Sequence, residues 1–272
     1  MADSREDGPD PDRYRFVLEL YSHDMNNLLQ MSIGNLDLAM RRLDRLEDLR
    51  AKGRCRPDLN GEDNGSGEKM NSDCRELIAS IRKNVMYAHM ADMDAVNFMS
   101  NMNALFSIVN GENINSATVD ALEVARECAE VVQESYVGLQ VSVKVQDGSC
   151  PVRAGRLLFN VFLNLFTNSI KYADTDTVSI EVSVQRDGDR AIFRVEDHGP
   201  GILDIYKEGV FQRYQRIFDE SSIHGQGLGL AMCRRIVESY GGEIHIEDRV
   251  SGDSTQGVAA VFTLPLEPES EG

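Results

Sequence analysis

The chain has 272 residues, room for more than one hydrophobic core, so two domains are the first expectation. Its 45 acidic against 28 basic residues give a formal charge of -17, which repels nucleic-acid phosphates and anionic membranes and excludes binding either through a basic patch. Five cysteines (Cys55, Cys74, Cys128, Cys150, Cys233) are scattered with no Cys-x-x-Cys spacing, no stretch approaches the roughly 20 apolar residues of a membrane span, and the acidic N-terminus lacks a signal-peptide core. A soluble chain in a reducing cytoplasm is expected.

Residues 1–9 are polar and are expected to be disordered, after which Asp10 and Pro11 form an N-cap and first helical turn. Tyr21, Met25, Leu28, Leu29, Ile33, Leu36, Met40 and Leu43 recur at three- and four-residue spacings and predict a long amphipathic helix to about residue 51. The glycine-, asparagine- and aspartate-rich stretch 53–70 reads as a connection. A second helix, capped at Asn71, follows the same period from Leu77 through Phe106 to about residue 109. A hairpin with one apolar stripe per helix cannot bury that surface alone, and pairing with a second copy into a four-helix bundle is the simplest remedy. A homodimer is expected.

Beyond Gly111 the pattern changes to short strands mixed with helices, which places a domain boundary near residue 112. Helices are predicted over 119–136, 156–172 and 227–240, and strands over 141–145, 178–185, 191–196, 243–246 and 258–264, with Asp187 and Gly188 marking a hairpin. Helices grouped against a mixed sheet make a two-layer α/β sandwich.

Three polar elements interrupt this second domain in fixed order. Asn164, Asn168 and Lys171 sit four and three residues apart and share a helix face in an otherwise apolar helix. Asp197-His198-Gly199-Pro200-Gly201-Ile202 ends a strand in a glycine-rich turn, where a carboxylate can accept a bond from an exocyclic amine and main chain can approach closely. Gly225, Gly227 and Gly229 precede and open a helix whose N–H groups can meet phosphate oxygens. Far upstream, His23, Asp24 and Asn27 lie within about one helical turn. A neutral imidazole is nucleophilic near pH 7, and an adjacent carboxylate can hold its other N–H.

The order and residues of these elements resemble the N, G1 and G2 boxes of sensor histidine kinases, and Tyr21-Ser22-His23-Asp24-Met25-Asn26-Asn27 resembles that family's phosphoacceptor box. The resemblance implies a dimerisation and histidine phosphoacceptor hairpin over 10–112, a dimeric four-helix bundle, followed over 113–268 by an ATP-binding catalytic domain of the Bergerat type. By resemblance the nucleotide is held by Asn164, Asn168, Lys171 and Tyr172, by Asp197, Gly199, Gly201 and Ile202, and by Gly225, Gly227, Leu228, Gly229 and Leu230. Phe211 and Tyr214 fall where the family has an aromatic box within its ATP lid. Asn168 binds Mg²⁺, Asp197 reads adenine, and Asn27 orients water for dephosphorylating a partner. The implied reaction is ATP-dependent phosphorylation of His23, then transfer to an aspartate of a separate response-regulator receiver domain. Ala259 departs from the pattern, which commonly has threonine there.

The rivals are a phosphotransfer scaffold or phosphatase without autokinase activity, and a gyrase-type ATPase of the same superfamily. The last places a glutamate base where Asn164 stands, and a neutral amide cannot take a proton from water.

Overall fold

The computed structural model describes residues 11–52, 67–109, 118–136, 139–211 and 228–268. The chain divides into two units, residues 1–95 and 96–272.

The first unit holds helix α1 (Pro11–Ala51) and most of α2 (Gly67–Val109). The second helix starts four residues before the expected cap at Asn71, since Glu68, Lys69 and Met70 are good helix formers. Leu28, Ser32 and Ala39 on α1 and Cys74, Ala88, Ala91 and Ala95 on α2 are buried. Arg42 on α1 donates to the Ser80 carbonyl on α2 at 3.4 Å, so the two helices touch. The apolar stripe expected on α1 is divided: Leu28 is covered, whereas Leu29, Ile33, Leu36, Met40 and Leu43 are exposed, Ile33 by 65% and Met40 by 66%. Cys74 is disulfide-bonded, unlike the fully reduced set that a cytoplasmic reading expects. Cys128, Cys150 and Cys233 are free, buried thiols.

In the second unit α3 (Ala121–Ser135), α4 (Leu158–Lys171) and α6 (Leu228–Ser239) form one layer, α4 touching both neighbours. The other layer, among the described residues, is a five-stranded sheet of β2 (Gln140–Val145), β4 (Thr177–Asp187), β5 (Arg190–Asp197), β7 (Asp253–Pro265) and β6 (Ile244–Val250), in that spatial order. Only β2 and β4 run parallel within it. A short helix, α5 (Asp204–Lys207), and a 3-10 turn (Gly209–Phe211) follow β5.

This is the expected two-layer α/β sandwich. Its centre is aromatic: Phe162 of α4 meets Phe193 and Phe262 of the sheet edge-on, and those two stack at 4.9 Å. Edge-to-face and offset contacts of this kind add specificity to plain burial.

A second pairing was not expected. β1 (Thr118–Asp120) pairs antiparallel with β3 (Pro151–Arg153), where Val119 was read as the start of a helix. The helix begins two residues later because Asp120 caps it, its Oδ1 accepting N–H bonds from Leu122 and Glu123. The same carboxylate also takes the Cys150 N–H at 3.0 Å and so ties β1, α3 and the approach to β3 together. On the far side of β3, Val152 bridges Leu266, and the Glu267 N–H donates to the Pro151 carbonyl.

Candidate nucleotide-binding site

A cavity of about 360 Å³ opens where the end of α4 meets the end of β5. The sequence of α4 explains its walls. Ten of its fourteen residues are buried, Leu158, Asn160 through Thr167 and Ile170, and after that run the helix reaches partial exposure at Asn168 and Ser169 before ending at Lys171. Asn168, Ser169, Lys171 and the capping residue Tyr172 therefore reach the cavity rim, while Leu165, Val195, Ile246 and Ala260 supply apolar walls. Leu230, on the first turn of α6, closes another side.

Two carboxylates line this cavity, Asp174 and Asp197, and Asp197 is held in place by hydrogen bonds. Asp197 Oδ1 accepts the Gly199 N–H at 2.9 Å and the Val258 N–H at 3.1 Å, and Oδ2 accepts the Ser169 hydroxyl at 3.2 Å. A carboxylate offers about four acceptor positions, so Oδ1 is filled and one position remains on Oδ2. A largely apolar slot with a carboxylate acceptor fixed in it suits a heteroaromatic ring carrying an exocyclic amine.

The glycines serve this carboxylate in a way the sequence did not disclose. Gly201 has φ +78, and a Cβ there would lie 2.0 Å from the Ser254 carbonyl oxygen. At Gly257, with φ +97, a Cβ would lie 2.0 Å from the Asp197 carbonyl oxygen. At Gly201 the close approach expected for a ligand is taken by the protein's own main chain, and the packing of Gly257 on the Asp197 carbonyl brings the neighbouring Val258 N–H onto the Asp197 carboxylate. Ala259, buried in β7, contributes no hydroxyl, and the Ser169 hydroxyl together with the Val258 N–H hold the carboxylate instead. Ser169 was not singled out from sequence. Its position next to Asn168 in an apolar helix was the available signal.

The remaining expected residues fall as follows. Gly199, Gly201 and Ile202 line the cavity beside Asp197. Asn164 does not: it is buried, and its side chain exchanges two hydrogen bonds with Asn101 near the end of α2. Gly229, in the first turn of α6, lies against Asn164, where a Cβ would come within 2.8 Å of Oδ1. Phe211 is buried and lies outside the cavity lining, with the Arg234 guanidinium of α6 4.5 Å above its ring. Tyr214, Gly225 and Gly227 lie outside the described residues, as does the side chain of Leu228. His23 and Asp24 lie on α1 with side chains outside the described set, and Asn27 on the same helix is exposed.

The donor set fits the groups the resemblance implies. Asn168 presents a neutral amide oxygen of the kind hard cations accept, at the rim of the cavity that holds Asp197. Among the described residues, no helix is long and apolar enough to cross a membrane.

Comparison with known proteins agrees with this geometry. Residues 154–268 match the family described as histidine kinase-, DNA gyrase B- and HSP90-like ATPase. The circadian input-output histidine kinase CikA of Synechococcus elongatus is 38% identical over 115 residues, 41% of this chain and 15% of that protein. The adaptive-response sensory kinase SasA of a Nostoc species is 32% identical over 153 residues, 54% of this chain and 37% of that protein. The matched region thus spans well under half the length of either relative. The solved structure of the mycobacterial sensor histidine kinase MprB is 27% identical, over 56% of this chain and 98% of that one, with a TM-score of 0.47. Residues 154–268 thus carry a domain of the histidine kinase-, DNA gyrase B- and HSP90-like ATPase family, and the relatives to which the chain is similar are named as histidine kinases.

Proposed function

We propose that the chain phosphorylates His23 from ATP in the presence of Mg²⁺ and passes the phosphoryl group to an aspartate of a separate response regulator, acting as a cytoplasmic homodimer. The observation that carries the reading is Asp197, held from behind by two N–H groups and a hydroxyl with one acceptor position left in an apolar slot. Asp197 receives the adenine amine. Asn168 holds Mg²⁺, which supplies positive charge against the triphosphate oxygens, and Lys171 adds a cation at the same rim. On α1, the His23 imidazole is the nucleophile and Asp24 takes its other N–H, stabilising the charge that develops on the ring. Asn27, exposed one turn further along, orients water when the partner is dephosphorylated.

The same observations weigh against an ATP-hydrolysing machine. Asn164 is an amide whose two hydrogens are both engaged, to Asn101 and to the Asn160 carbonyl, and it is no base for activating water.

Incubation with γ-labelled ATP and Mg²⁺ tests the proposal by comparing the chain with its His23→Gln variant. Acid-labile, base-stable label on the parent and none on the variant is the expected result. A parent that binds ATP and never becomes labelled sinks the autokinase reading and leaves a scaffold, a phosphatase or an ATPase.

A further inference from the structure

Within the second unit, the last turns of α2 meet α4 through a ladder of amides. Asn97 Nδ2 donates to Thr167 Oγ1 at 2.9 Å, and Asn160 Nδ2 donates to the Ser100 carbonyl at 3.2 Å. Between these rungs Asn101 and Asn164 form a reciprocal pair: Asn101 Nδ2 donates to Asn164 Oδ1 at 2.9 Å, and Asn164 Nδ2 donates to Asn101 Oδ1 at 2.7 Å. Asn97 and Asn101 are four residues apart on one helix, and Asn160, Asn164 and Thr167 four and three apart on the other, so one face of each helix carries the whole set.

The pair determines what Asn164 can do. A primary amide has two hydrogens, and those of Asn164 go to Asn101 and to the Asn160 carbonyl, the latter at 2.9 Å. With both spent, the side chain cannot donate to an anionic oxygen. Yet it lies against Gly229, in the first turn of the helix that the third glycine element opens, and one helical turn before Asn168, which does line the cavity. It is close to where phosphates would be held and chemically withheld from them.

The ladder is also imperfect. Asn97 Oδ1 is buried with no donor among the described residues, and an unsatisfied buried acceptor weakens the contact that contains it. A fully satisfied amide network would lock α2 onto α4, whereas one with an open acceptor is poised to release.

We propose that Asn101 is a latch on the nucleotide site: seated on α4, it withholds the Asn164 amide from the phosphates of a bound nucleotide, and its release restores that donor. The inference rests on reading the cavity as an ATP site. A nucleotide that engages Asn164 must first break the pair, so its apparent affinity falls by the fraction of chains that are latched.

Titration of the full chain with Mg-ATP by calorimetry, alongside its initial rate of labelling from γ-labelled ATP, tests the latch. Asn101→Ala, and Asn101→Leu as a variant that keeps the volume filled, are each expected to bind Mg-ATP more tightly by roughly threefold to tenfold and to label faster. In an Asn164→Ala background the same substitutions should bring no gain, because nothing remains to be freed. A purely structural Asn101 would lower the melting temperature and leave affinity unchanged or weaker. Unchanged or weaker binding in either variant, with a cooperative melt showing that it is folded, overturns the latch. If the parent chain itself binds no Mg-ATP, the ATP-site reading beneath the latch fails first.

Discussion

Asp197 combines two demands that usually conflict, since a carboxylate in an apolar slot must be satisfied by the protein and yet keep capacity for a ligand. The Gly199 and Val258 N–H groups fill one oxygen and Ser169 half fills the other. Asp197→Asn keeps the shape and puts a donor where an acceptor is needed, so ATP affinity should fall about tenfold to a hundredfold, the worth of a charged hydrogen bond. Calorimetric titration with Mg-ATP reads that loss directly. Gly257→Ala acts differently, because a methyl 2.0 Å from the Asp197 carbonyl oxygen, at positive φ, forces β7 away from β5. It should cost about 2 to 4 kcal/mol of stability in urea unfolding, and the displaced Val258 N–H should weaken ATP binding as well. Restored affinity at low temperature with the stability loss intact would separate the two effects.

Among the elements, α3 depends on a single side chain. Asp120 caps it and also takes the Cys150 N–H, so Asp120→Ala should cost about 1 to 2 kcal/mol in chemical unfolding. Burial pushes the Asp120 carboxyl up, but the bonds from Ser149, Cys150, Glu123 and Leu122 outweigh it and hold the group below its ordinary value. A carboxyl depressed in the folded state stabilises above its unfolded pKa and loses that contribution as pH falls through the folded pKa. The parent chain should therefore lose stability below about pH 4, and Asp120→Ala should lose less over the same range. Equal slopes for the two would remove Asp120 from the account. Sequence pattern was sufficient for the long helices and for the β4–β5 hairpin, where alternation on both sides of Asp187 and Gly188 leaves little choice. It was insufficient for β1 and β3, because three residues carry no period and their pairing partner lies about thirty residues away. Asn164 is the more instructive case. Periodicity put it on one face with Asn168, which is correct, but which neighbour covers a polar face is a tertiary fact, and the covering residue, Asn101, lies 63 residues upstream.

At the scale of the molecule, the exposed line Leu29, Ile33, Leu36, Met40 and Leu43 on α1 is the surface that a second copy would cover. Light scattering should give the mass of two chains, and replacing both Ile33 and Met40 with Glu should shift it to one chain while helicity by circular dichroism persists. A monomeric parent at all concentrations would exclude the bundle. The sandwich has a different relation to its surroundings. Its first strand, β1, and its last residues, Leu266 and Glu267, flank the same short strand, β3. Entry and exit are side by side, and a domain joined to the rest of a chain through one edge can be transplanted with both splices at that edge. It should also tolerate being cut elsewhere: joining residue 267 to residue 118 through a short glycine-serine segment and opening the chain at Gly188, in the exposed hairpin turn, should yield a permuted sandwich that still binds ATP. On this geometry the domain is a cassette, and its connection to any sensing partner is a matter of what is spliced to that edge.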